Sequence, residues 1–258
     1  MKDKLRLFGC VIFIIFMTSG GVFQPQMVDM PLIDKKSEVR LDGGITLLTT
    51  AYATVTYAIT DKIAIQAFGH GGGGISSVNH IQGAVGYFKD FGHKNILEWY
   101  FGYGYGHANF DYSTVLNNNN CSDTYGYGYY GSGYEGSYMY ELPYYKLWSY
   151  QEYFTQINYG LIGFDFANMD FGFSLKAGYL YSDLSDYDFH GPAVDGNQLE
   201  HYTKNSILLE PLAFIRLGSK KLKFCLKVGD NWIYNLSRSD VSIPHARLNA
   251  GIGINYKF

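Results

Sequence analysis

The last eleven residues constrain this chain more than any others. From Leu248 to Phe258 one parity carries Leu248, Ala250, Ile252, Ile254, Tyr256 and Phe258, and the other carries Asn249, Gly251, Gly253, Asn255 and Lys257. Side chains of a strand alternate between its two faces, so this segment predicts a strand with one apolar and one polar surface. Its backbone needs partners on both edges. Whether the apolar surface looks toward protein or away from it decides the fold, and the rest of the chain answers that question.

The same alternation recurs along the sequence. It predicts ten strands, at about 38–48, 51–59, 63–70, 78–88, 96–108, 151–165, 169–182, 204–217, 221–234 and 245–258. The connections alternate in length as well. Thr60 to Lys62, Lys89 to Asn95, Phe166 to Asn168 and Gly218 to Lys220 are short, whereas the Gly-rich 71–77, the 109–150 segment and the 183–203 segment are longer. The turn near Thr49 and Thr50 breaks the rule by being short.

Charge placement separates the possible folds. Arg40, Asp42, Glu98, Glu152, Lys176, Glu210, Arg216, Lys223 and Lys227 all fall on the parity shared with Gly, Ser, Asn and Gln, opposite rows such as Leu97-Trp99-Phe101-Tyr103-Tyr105. A soluble β-sandwich turns its apolar parity inward. A wall facing lipid turns it outward, because a charge at mid-bilayer costs roughly 2–4 kcal/mol. The expected fold is therefore all-β: an antiparallel transmembrane β-barrel of about ten strands over 38–258, following a cleaved signal peptide. A barrel of this size is only slightly wider than one filled by its own side chains. The nine inner charges, with Tyr52, Phe68 and Tyr100, predict a packed, salt-bridged lumen, where Gly102, Gly104, Gly106, Gly172 and Gly178 either leave room for larger partners or ease curvature. Tyr57, Tyr87, Trp99, Tyr181, Trp232 and Tyr256 suit interfacial girdles.

The amino-terminal end fits this location. Lys2, Lys4 and Arg6 precede the apolar run Val11 to Met17 and the small residues Thr18-Ser19-Gly20-Gly21, which reads as a signal peptide over 1–21. Residues 22–37, with Pro25 and Pro31, read as a periplasmic tether. Cys10 lies before the apolar run, where a lipidation site would need a Cys after it. A net charge of −3 offers no basic field for nucleic acid, and Cys121 and Cys225 form no disulfide framework.

Several stretches together resemble an uncharacterised family of outer-membrane proteins and putative outer-membrane lipoproteins from Bacteroidota. They are QPQMVDMPLI followed by KKSEVR, then AYATVTYAITDKIAIQ, GAVGYFKDFGHKNILEWYFGYGYG, LLEPLAFIRLGSKKLKF and the closing strand. The resemblance implies the outer membrane of a Gram-negative bacterium and no assigned activity. Many members carry a Cys before the tether, and this chain departs from them there. The carboxy-terminal strand also resembles the signal by which barrel-assembly machinery recognises its clients, which would assign that role to Tyr256 and Phe258.

Chemistry-bearing residues are few. Asp183, Asp186, Asp188, His190, Asp195, Glu200 and His201 lie close in sequence but lack the EF-hand order, so they read as solvated loop residues and no metal is expected. Asp183 and Asp186 with His107 and His190 at the barrel mouth resemble the Asp/His chemistry of omptin-type proteases, yet no omptin motif accompanies them. His80 and Ser77 lack the lipid-facing pairing a lipid A deacylase needs, and His70, His93 and His245 read as turn or rim residues. Between Asn109 and Tyr150, Tyr125, Tyr127, Tyr129, Tyr130, Tyr134, Tyr138 and Tyr140 alternate with Gly and Ser, a composition shared with contact loops. The sequence thus points to a non-enzymatic barrel without cofactor, acting in surface contact or as an accessory subunit of an outer-membrane assembly. Its expected partners are outer-membrane lipid, the barrel-assembly machinery and another outer-membrane protein. The alternative is a narrow channel for small or apolar solutes.

Overall fold

The computed structural model describes residues 30–47, 50–73, 76–111, 144–164, 168–188, 197–236 and 248–258. Its strands are β1 Val39–Thr46, β2 Thr50–Ala58, β3 Ile63–Gly73, β4 Ser76–Asp90, β5 Asn95–Asp111, β6 Tyr144–Phe164, β7 Met169–Asp188, β8 Asn197–Gly218, β9 Leu222–Asp230, β10 Trp232–Asn235 and β11 Leu248–Lys257. Each pairs antiparallel with its neighbours. β11 closes the ring by pairing with both β9 and β1, matching Ile252 to Leu226 on one side and to Ile45 on the other. Among the described residues every strand but the short β10, which pairs with β8 alone, has partners on both sides, and closure of this kind is what lets a sheet sit in hydrocarbon.

β9 and β10 occupy one position in the wall, so the closed barrel has ten wall strands. Both pair with β8 in a single register: Gly229 faces Leu212 and Trp232 faces Leu209. The ladder is interrupted only around Asp230 and Asn231, beside Pro211 of β8. Proline has no N–H to donate, which accounts for a local gap in an otherwise continuous ladder.

Turn chemistry marks one end of the barrel. Thr60 Oγ1 accepts the backbone N–H of Ile63 at 2.9 Å, and Ser219 Oγ accepts that of Leu222 at 2.9 Å. Asp90 Oδ1 accepts the N–H of Gly92 at 2.7 Å, and a φ of +78° at Gly92 lets the β4–β5 turn close within four residues.

Outward-facing side chains define an apolar band. On β5 it runs from Leu97 through Trp99, Phe101 and Tyr103 to Tyr105, on β7 from Phe171 to Tyr181, and on β8 from Leu217 to Ile207, most of them exposed. These are spans of about the 9–11 residues a tilted strand needs to cross a bilayer. Above the band the outward residues turn polar, with His107, Ser149, Asp183 and Thr203.

The strands run well past that boundary, farther than alternation alone indicated. β5 continues to Asp111 and β6 starts at Tyr144, so the expected 109–150 loop is strand at both ends. β7 continues to Asp188 and β8 starts at Asn197, shortening the 183–203 loop in the same way. β3 reaches Gly73 and β4 starts at Ser76, so most of the Gly-rich 71–77 segment is wall, with Gly71 opposite Asn79. Outside the lipid neither face needs to be apolar, and alternation fades while hydrogen-bonded pairing persists.

Candidate functional site: the filled barrel interior

The inward parity of the wall builds the interior. The nine charges expected there lie as follows: Arg40, Asp42, Glu98, Glu152, Lys176, Glu210, Arg216, Lys223 and Lys227 are all buried inside the ring of strands. Tyr52, Phe68 and Tyr100 are buried with them. Apolar clusters separate the charges. One joins Tyr52, Phe68, Leu212 and Phe214, a second joins Ala64, Phe88, Tyr100 and Phe154, and a third under the mouth joins Val78, Trp148, Tyr150, Leu180 and Leu184.

Two ionic groups tie distant strands together. In the first, Lys227 Nζ lies 2.5 Å from Asp42 Oδ1 and Arg216 Nη2 lies 3.9 Å from Asp42 Oδ2, linking β9, β1 and β8. In the second, Lys176 Nζ lies 2.6 Å from Glu152 Oε1, 3.3 Å from Glu210 Oε2 and 3.2 Å from Gln82 Oε1, linking β7, β6, β8 and β4. Both lysines also stand over aromatic rings, Lys176 over Phe154 and Lys227 over Tyr52, each at 4.5 Å from the centroid. Ion pairing, hydrogen bonding and ring contact together offset the desolvation that makes a buried charge costly.

Inner glycines seat large partners. A Cβ at Gly104 would come within 2.7 Å of the His80 ring, and one at Gly172 within 2.8 Å of the Phe214 ring. Gly102 takes the tip of Phe154, Gly106 that of Tyr150, and Gly178 lies 3.0 Å from Glu152 Oε1 by the same measure. The lumen is therefore packed by interlocking large and small residues rather than left open.

The segment expected to be a tether contributes to that packing. Met30, Leu32 and Ile33 are fully buried against the inner wall at the short-turn end. Glu98 Oε1 accepts the backbone N–H of Ile33 at 2.8 Å, and Arg216 Nη2 donates to the carbonyl of Met30 at 2.7 Å. Over 30–37 the chain is thus a plug rather than a free tether, because its three apolar side chains find a dry site and its irregular backbone finds charged partners. Lys257 clamps the outer part of the plug, 2.8 Å from Asp34 and 3.0 Å from Glu38. Burial works to raise both carboxyls. Hydrogen bonds with Glu38 and Lys257 outweigh it at Asp34, holding that group at about 2, while burial and the bond with Asp34 push Glu38 above its ordinary range.

Sequence reasoning left some interior groups out. Asp170 pairs with Lys223 and accepts the N–H of Gly163 at 2.7 Å, and Lys204 is buried near the mouth. Both lie on the inward parity, so alternation held the signal. His70 is not a rim residue: it continues the inward row after Phe68 and stacks on His80 at 5.5 Å between ring centroids. The extension of β3 beyond residue 70 brings it inside. His80 likewise points inward, with its ring stacked on Tyr150.

Of the Asp/His candidates at the mouth, the two that are described, His107 and Asp183, are a full strand apart. His107 and Asp183 face outward on either side of Ser149, as the registers of β5, β6 and β7 require. A carboxylate that activates a histidine must reach it directly, and here the strand carrying Ser149 lies between His107 and Asp183. The side chains of Asp186, Asp188, Glu200 and His201, together with His190, Asp195, the contact-loop tyrosines Tyr125 to Tyr140 and the signal peptide, lie outside the described residues.

No family model matches the chain, and no curated protein matches it. Among solved structures it is similar to the outer-membrane protease OmpT from Escherichia coli, with a TM-score of 0.51 at 9% identity over 87% of this chain and 94% of that one. It is also similar to the translocator domain of the autotransporter NalP from Neisseria meningitidis (TM-score 0.43, 14% identity, 86% of each chain). A third likeness is to the amino-terminal barrel domain of OprF from Pseudomonas aeruginosa (TM-score 0.36, 8% identity, 87% of this chain and 99% of that one). The fold is that of a bacterial outer-membrane β-barrel. With its outward apolar band and closed wall, the chain belongs in the outer membrane.

Proposed function

We propose that this chain is a non-enzymatic barrel that works through its surfaces, holding the outer ends of β5–β8 and their connections above the membrane for contact with a partner or a larger outer-membrane assembly. The observation that carries this reading is the filled lumen. The Lys176–Glu152–Glu210 and Lys227–Asp42–Arg216 groups bridge the interior, and the plug occupies the short-turn end. The long strands support it too: β6, β7 and β8 span 21, 20 and 22 residues, about twice what the bilayer needs. The contact residues we assign are Tyr125, Tyr127, Tyr129, Tyr130, Tyr134, Tyr138 and Tyr140, whose rings suit buried anchors at an interface. Membership of the Bacteroidota outer-membrane family belongs to the same proposal and rests on the sequence stretches quoted above.

Planar-bilayer recording of the full barrel tests the reading. Silence is the expected result, and steady single-channel steps would replace it with the narrow-channel alternative. Replacing Tyr125 to Pro143, which stops short of β6, by a Gly/Ser linker should keep the heat-modifiable barrel and abolish any partner recovered from native outer membrane.

A further inference from the structure

Aromatic residues are spread differently at the two ends of the wall. At the short-turn end they face outward on strand after strand, with Tyr57 on β2, Tyr87 on β4, Trp99 on β5, Tyr159 on β6, Phe171 on β7 and Tyr256 on β11. That is the girdle a membrane interface favours. At the outer end, among the described residues, they keep to one sector. Tyr103, Tyr153 and Tyr179 are register partners in one row, Tyr105, Gln151, Tyr181 and Asn205 in the next, and β10 adds Tyr234. The outward residues near the outer ends of β1, β2, β3, β4 and β11 are instead Ile45, Ala51, Gly69, Ile81 and Leu248. A leaflet meets every side of a barrel alike, so the interface alone accounts for the short-turn girdle and leaves this sector unexplained.

The sector also carries hydrogen-bonding groups that lipid chains cannot use. Gln151 and Asn205 are half-exposed among the tyrosines, and Tyr179 donates its hydroxyl to Asn205 Oδ1 at 2.6 Å, which fixes that amide. One rung further out, Ser149 and Asp183 continue the polar surface. Tyr103 and Tyr153 lie 5.2 Å apart between ring centroids and are tilted by 57°, so neither ring covers the other's face.

These groups select a chemistry. Exposed ring faces beside amides, a hydroxyl and a carboxylate suit a sugar, whose C–H faces pack on the rings while its hydroxyls exchange hydrogen bonds with the polar groups. None of the described outward residues at this end of the sector is Lys or Arg, so a phosphate headgroup finds no cation there. The patch also lies where the outward rows turn from apolar to polar, the level at which a lipid headgroup begins.

We propose that this sector binds the sugar headgroup of an outer-leaflet glycolipid, whose acyl chains lie along the apolar band below it. The contact is separate from the loop contact proposed above and does not depend on it. The test uses the purified, folded full chain in detergent under native mass spectrometry, titrated with a galactosyl diacylglycerol or with phosphatidylcholine of the same acyl chains. Wild type should retain the galactosyl lipid about tenfold better, the scale of one aromatic anchor. Tyr153→Leu with Tyr181→Leu keeps the face apolar, removes two central rings and should abolish that preference while phosphatidylcholine retention stays as in wild type. Gln151→Leu, which leaves both rings in place, should reduce the preference severalfold. Tyr57→Leu with Tyr87→Leu makes the same change in the short-turn girdle and should leave it intact, and heat-modifiable mobility in SDS reports folding for each variant. The proposal is overturned if wild type holds both lipids equally, if both patch variants keep the full preference, or if the girdle variant loses it as well. An outer-membrane protein lost from the pull-down by the double patch variant, with the lipid preference unchanged, would give the face to a protein instead.

Discussion

Replacing Lys176 by Met tests the interior directly. The ammonium lies 2.6 Å from Glu152 and 3.3 Å from Glu210, with all three side chains at 5% exposure or less. Met matches the length of the lysine stem, so the substitution removes the charge and leaves little cavity. Two buried carboxylates then lose that cation. Breaking a buried pair by deleting one partner costs about 3–5 kcal/mol, two or more powers of ten in the folded-to-unfolded ratio. Removing the whole group behaves differently: Lys176→Met with Glu152→Gln and Glu210→Gln leaves no uncompensated charge and should return most of the loss. Urea unfolding of the barrel in phosphatidylcholine vesicles, followed by tryptophan fluorescence, measures both. The reasoning is refuted if the single variant unfolds at the wild-type urea concentration, or if the triple variant is no more stable than the single one.

Leu175→Arg, one residue away and facing lipid, should cost roughly 2–4 kcal/mol by a different route, and the two Glu→Gln changes should give it no rescue in the same assay. Deleting Tyr256 to Phe258 removes Lys257 and its pairs with Asp34 and Glu38 as well as the last rungs of the β1–β11 ladder, so the heat-modifiable form in SDS gels should vanish. Asp34 is held at about 2 against an ordinary 3.8, so its contribution to docking the plug is complete above pH 4 and lost as pH falls toward 2. Glu38, pushed upward, is already protonated across that window. A fluorescent label on Lys35→Cys should report release of the plug over this range, and Asp34→Asn should flatten the response. Cysteine labels at Ser132 and Gly196 should react with an impermeant reagent on intact cells while one at Ser219 stays protected; reaction at Ser219 would invert the topology.

The side a residue faces was legible because strand periodicity is local: one parity put Lys176 inward and Leu175 outward without any knowledge of the fold. Partners were not legible, since they depend on how the ring closes. Lys227 and Asp42 are 185 residues apart, and Arg216 reaches the carbonyl of Met30 across 186. Lys176→Leu looks harmless from the pattern alone, yet the structure gives that lysine two buried carboxylates to neutralise. The plug escaped for a related reason. Pro31 correctly excludes regular structure, but an irregular segment has no period to reveal which way Met30, Leu32 and Ile33 point. Above the membrane the failure reversed, and Asp183-Leu184-Ser185 read as loop because the alternation there carries too few apolar residues. Leu180 and Leu184 are nonetheless buried in the cluster with Trp148, holding the projecting sheet together on its inner side.

Magnitudes also weigh the two functional readings against each other. A solute crossing this lumen must pass the Lys227–Asp42–Arg216 group and the Lys176–Glu152–Glu210 group, each of which ties strands from different parts of the ring. Parting one such group exposes charges in a narrow site at about 3–5 kcal/mol, which limits an open state to roughly one molecule in a hundred or fewer. Passage through both groups multiplies the two factors, and the plug must also leave its bonds to Glu98 and Arg216. A channel on these terms would be closed nearly always. Work done on the wall and on the projecting ends of β5–β8 requires none of these openings, and the same buried groups then serve it by keeping that platform rigid.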